Sequence, residues 1–124
     1  MAIGKTRETP VRYPDRFYIG GEWATPSSGD RIDVVQPATE DVWAQVAAAR
    51  KEDVYAAVAA AREAFDRGPW PRMSHEERAG YLRAIAAGLR ARAADLSYIW
   101  ASEMGILHVD AVNRGARIPG IYDF

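Results

Sequence analysis

Apolar and polar positions alternate along the first part of the chain and then shift to a helical spacing. Phe17-Tyr18-Ile19 and Glu22-Trp23-Ala24 flank the pair Gly20-Gly21. Two glycines accept the positive φ values that a two-residue turn demands, so the pattern predicts a tight β-hairpin. Pro26-Ser27-Ser28-Gly29-Asp30 reads as a loop by composition. From Arg31 to Gln36, Ile32 and Val34 fall on one face and Asp33 and Val35 on the other. Pro37 to Asp41 turns the chain, and Val42, Ala44 and Val46 share a face beyond it. The expectation is two hairpins, four short strands in all, each with one apolar side in need of a cover.

The period changes at Asp53. Val54, Val58, Ala61 and Phe65 recur at helical spacing, with Ala57 and Ala64 widening the stripe. Gly68-Pro69-Trp70-Pro71 ends this helix, with Gly68 expected as a left-handed C-cap. Ser74 followed by Glu77 is a capping box that starts a second helix, whose expected buried face is Leu82, Ile85, Ala86 and Leu89. Gly80 and Gly88 each cost roughly 1 kcal/mol relative to alanine in a helix interior, for which close packing against a neighbour is the expected compensation. A break near Ala93-Ala94-Asp95 leads to a third helix bearing Leu96, Ile99 and Trp100, stopped by Gly105. Val109 to Ala116 opens a fourth, interrupted by Pro119-Gly120. The fold class expected is α/β: two N-terminal β-hairpins followed by three or four amphipathic helices. Residues 1–16 are polar, carry Pro10 and Pro14 and show no sustained period, so they are expected to form a flexible arm, with 17–124 as the folded part.

Composition narrows the function classes. The chain has 124 residues, 48% hydrophobic and 27% charged, within the range of one soluble globular domain. A net charge of −1 provides no field to attract nucleic acid or an anionic membrane, so neither is expected as a partner. No apolar run approaches the roughly 20 residues that span a bilayer, and the N-terminus lacks the apolar core of a secretory signal. The expected location is cytoplasmic. With no cysteine, the chain has no disulfide, thiolate metal ligand or cysteine nucleophile.

Residues that could carry chemistry all have simpler readings. His75 and His108 are far apart and belong to no metal-ligand spacing; His75 reads as a solvated first-turn residue and His108 as part of an inter-helix connection. The adjacent pairs Glu40-Asp41, Glu52-Asp53 and Glu76-Glu77 lie at a turn or at helix starts, where the dipole or solvent favours negative charge. Gly20-Gly21 precedes a strand rather than a helix, so it is no phosphate cradle. Ser27, Ser28 and Ser102 have no histidine near them in sequence, and no nucleophile elbow is present. Glu103-Met104-Gly105 is explained by a glycine-stopped helix. Trp23, Trp43, Trp70 and Trp100 read as core or interface packing rather than as a ligand stack. No residue receives a catalytic, cofactor-binding or metal-binding assignment.

Four ordered segments nevertheless point to a relative: Ile19-Gly20-Gly21-Glu22-Trp23, Pro37-Ala38-Thr39-Glu40, Asp53 through Phe65, and Trp70-Pro71-Arg72-Met73-Ser74. Together they resemble the N-terminal portion of the aldehyde dehydrogenase superfamily, from Phe17 to about Gly105 and more weakly to the terminus. Ile106-Leu107-His108 departs from the G-K-P pattern often found after the corresponding glycine. The resemblance implies that residues 17–124 are an incomplete part of a coenzyme-binding domain, contributing outer strands and covering helices. It implies NAD or NADP as cofactor for the full-length family and none for this chain alone. The family's cysteine nucleophile, its glutamate, its oxyanion-hole asparagine and its coenzyme-contacting lysine lie in motifs outside these residues. The expectation is therefore an N-terminal fragment of an NAD(P)-dependent aldehyde dehydrogenase, inactive as an isolated chain. Its apolar, aromatic end at Ile121-Tyr122-Asp123-Phe124 reads as a segment cut before its packing partner. Two alternatives stand beside this one. The first is an interaction fragment that self-associates or binds a full-length homologue through exposed apolar faces; the second is a non-functional gene remnant.

Overall fold

The computed structural model describes residues 9–123. Strands β1 (Phe17–Ile19) and β2 (Glu22–Ala24) form one antiparallel hairpin, and β3 (Arg31–Val35) and β4 (Val42–Ala47) form a second, separate one. Gly20 and Gly21 take φ of +63° and +90°, the left-handed values that a two-residue turn requires. In the second hairpin Ile32 faces Val46 and Val34 faces Ala44, so the apolar face expected from alternation is formed. The next pair is Val35 with Val42, which leaves Trp43 as an extra residue on β4. That β-bulge re-aims the strand next to its turn.

Four helices follow: α1 (Lys51–Arg67), α2 (His75–Ala91), α3 (Ala93–Met104) and α4 (His108–Gly115), with single 3-10 turns at Trp70–Arg72 and Ile118–Tyr122. Helix α1 starts two residues before Asp53, because Asp53 occupies the third helical position and accepts from the Arg50 backbone N–H at 2.8 Å. The capping box at α2 forms as its sequence predicts: Glu77 N donates to Ser74 Oγ at 3.2 Å and Ser74 N to Glu77 Oε2 at 2.8 Å. The break before α3 falls at Arg92, slightly earlier than expected. Gly105 stops α3 at φ +68°. His108 opens α4 rather than lying in the connection before it.

The tightest packing lies where α2, α3, α4 and the last 3-10 turn meet. Ala86, Ala111, Ser97 and Pro119 are fully enclosed there. All four are small, which lets the helix backbones approach closely. Ser97 Oγ donates to the Ala93 carbonyl at 2.7 Å and lies 3.4 Å from that of Ala111 on the neighbouring helix. Arg90 of α2 also pairs with Asp123 beyond the last turn.

Three local expectations are corrected. Gly68 is not left-handed: its φ is −67°, and the glycine is needed because a Cβ there would stand 2.2 Å from the Ala64 carbonyl oxygen. Gly80 and Gly88 are not packed tightly, since a Cβ on either would meet nothing within 4 Å. Ile85 does not join a buried face; it is 48% exposed, and only Ala86 of that set is buried. Hydrophobic period identifies the apolar face of a helix but not whether another element covers it.

Of the residues read as an arm, 1–8 lie outside the described part. Residues 9–16 run against both hairpins. Ala47 N donates to the Pro14 carbonyl at 2.8 Å, and the Tyr13 and Trp23 rings stand 4.7 Å apart.

Candidate functional site

The most completely built polar constellation centres on Asp53. One carboxylate oxygen accepts the Ser27 backbone N–H at 2.8 Å; the other accepts the Ser27 hydroxyl and the Arg50 N–H, each at 2.8 Å. Asp53 is buried, at 8% exposure. The Arg50 backbone bond, then the Ser27 hydroxyl, hold its carboxyl below the usual aspartate range, and the Ser27 N–H adds to them. Beside it, Arg50 Nε donates to Asp30 Oδ2 at 3.0 Å, and this bond is the main cause of the lowered Asp30 pKa. Every Asp53 lone pair used here is engaged by the protein's own donors, so the arrangement is a clamp between a loop and a helix start. A general base must stand free to take a proton from substrate, whereas both of these oxygens already accept from protein donors.

Other singled-out residues are not brought together. His75 stands at the start of α2 with its Nδ1 3.1 Å from Arg78 Nη2, and His108 begins α4. Glu40 sits in the turn between β3 and β4 at φ +62°. Glu76 and Glu77 lie in the first turn of α2, where Ser74 lowers the Glu77 pKa, chiefly through its backbone N–H. Ser102 is buried on α3, and Ser27 is the Asp53 partner. That partnership links residues 26 apart in sequence, and no local motif announces it. Among the described residues no group of three or more His, Cys, Asp or Glu could hold a metal ion. No helix among them is long and apolar enough to cross a membrane.

The tryptophans pack against other aromatics or line clefts. Trp23 contacts Tyr13 and Tyr18, Trp70 contacts Tyr81, and Trp43 meets Tyr98 edge-on at 6.0 Å. Trp100 lines an apolar cleft with Leu89, Leu96, Ile99 and Ile118, between α2, α3 and the end of the chain. A second groove runs between the first hairpin and α1, from Tyr18, Ile19 and Gly20 to Ala57, Ala61 and Ala64. The stripe on α1 is largely open: Val58 is 60% exposed and Phe65 66%. What the described elements present, therefore, is a braced scaffold with wide apolar faces.

Residues 23–122 match the model of the aldehyde dehydrogenase family. The chain belongs to that family. Among the curated relatives, betaine aldehyde dehydrogenase of Hordeum vulgare is 42% identical over 118 residues, which is 93% of this chain and 23% of that protein. Lactaldehyde dehydrogenase of Escherichia coli strain K12 is 38% identical over 96 residues, 77% of this chain and 19% of that one. Among solved structures, the NAD-dependent aldehyde dehydrogenase of Sinorhizobium meliloti superposes with a TM-score of 0.80 at 35% identity, covering 85% of this chain and 21% of that one. Betaine aldehyde dehydrogenase of Staphylococcus aureus, solved in complex with NAD+, gives 0.83 at 28% identity, covering 88% and 22%. The chain thus spans about a fifth of the length of these aldehyde dehydrogenases.

The aldehyde dehydrogenase match extends past Gly105 to Tyr122, so it includes α4 and the whole of the final 3-10 turn. The α/β arrangement of two small antiparallel sheets and four helices is that of the corresponding aldehyde dehydrogenase region.

Proposed function

We propose that these residues form part of the coenzyme-binding domain of an NAD(P)-dependent aldehyde dehydrogenase, and that by themselves they oxidise no aldehyde. The observation that carries this reading is the match over residues 23–122 in a sequence without cysteine. Oxidation through a thiohemiacetal needs a thiolate to attack the aldehyde carbon, and among the described residues no other side chain is arranged to replace it. NAD is favoured by the neighbours solved with NAD+, and betaine aldehyde and aminoaldehydes are the first substrates to test because several relatives carry those names. The test is a purified chain mixed with NAD or NADP and each aldehyde, with nicotinamide reduction followed by absorbance. No reduction is expected. Turnover proportional to protein and surviving repurification would overturn the reading.

The exposed stripe of Val54, Val58 and Phe65 favours a second reading, in which this segment acts as an interaction element. Its occupant would be a longer aldehyde dehydrogenase chain, whose additional sequence offers the cover these helices lack. Co-elution with a purified full-length betaine aldehyde dehydrogenase supports this role. A concentration-dependent dimer that ignores the longer protein points to self-association instead. A denaturant melt with no cooperative transition would favour the remnant reading.

A further inference from the structure

We draw no further inference here: the strongest candidate outside the apolar faces already described, the small cleft between the second hairpin and α3 lined by Trp43 and Glu103, rests on one unpaired indole N–H with no second observation that points to a ligand.

Discussion

Ser27 and Asp53 are joined twice: the Ser27 backbone N–H and its hydroxyl each reach a different oxygen of the Asp53 carboxylate at 2.8 Å. The serine precedes β3 and the aspartate follows β4, so the pair closes the open end of the second hairpin onto the start of α1. All three donors favour the ionised carboxylate.

That preference sets a pH dependence. The folded-state pKa of Asp53 lies below its unfolded value, so its contribution to stability is present above the ordinary aspartate range and is lost as pH falls through the folded pKa. Asp53→Asn should therefore be less stable at neutral pH. It should also lose less of its remaining stability on acidification to about pH 3, below the ordinary aspartate range. Denaturant melts at both pH values compare the two proteins. Parallel loss in wild type and variant would remove Asp53 from the explanation.

Glu40 holds a left-handed backbone at φ +62° without being glycine. A side chain in that region costs roughly 1 kcal/mol or more. Glu40→Gly should raise stability by about 0.5–1 kcal/mol, after the extra flexibility that glycine gives the unfolded chain is subtracted. A thermal melt checks the sign, and an unchanged or lower midpoint would mean that the turn holds glutamate without strain.

Gly105 combines two constraints, since its φ is +68° and an added Cβ would stand 3.1 Å from the Pro37 side chain. The turn between β3 and β4 is thereby packed on the end of α3. Gly105→Ala should destabilise by about 1–2 kcal/mol from the backbone alone, with the contact adding to it. A drop of that size in chemical denaturation, with an unchanged slope, is the expected result.

Helix glycines separate into two classes. An alanine Cβ at Gly80 or Gly88 meets open space, whereas at Gly115 it would lie 2.9 Å from Ser97 Oγ. Gly80→Ala and Gly88→Ala should each stabilise by about 0.5–1 kcal/mol. Gly115→Ala should destabilise by forcing apart α3 and α4, where Ser97 and Ala111 are already enclosed. Melting the three variants side by side tests the contrast. A stabilised Gly115→Ala would show that the α3–α4 contact has room.

Sequence made visible whatever is decided locally. Gly20-Gly21 marked its turn, Ser74 and Glu77 marked the start of α2, and Gly105 marked the end of α3. The Ser27–Asp53 clamp was hidden because its partners are far apart along the chain and a serine in a loop has many possible acceptors. The bulge at Trp43 was hidden because alternation continues through it in the sequence while the pairing with β3 skips a residue. Ile85 and Phe65 have the spacing of core residues, yet stand exposed because no described element covers them. At the candidate site, the absence of a cysteine was evident from composition, whereas the use of Asp53 as a brace required three-dimensional proximity.

The closed end of the second hairpin has a consequence for its exchange with solvent. A two-stranded ribbon ordinarily frays from the end away from its turn. Here Gln36 N bonds to the Asp41 carbonyl at the turn end, while Ala48 N bonds to the Asp30 carbonyl and Ser27 to Asp53 at the other. Amide deuteration of β3 and β4 should then occur in one collective opening rather than residue by residue from the open end, and removal of the Ser27 hydroxyl should restore the gradient.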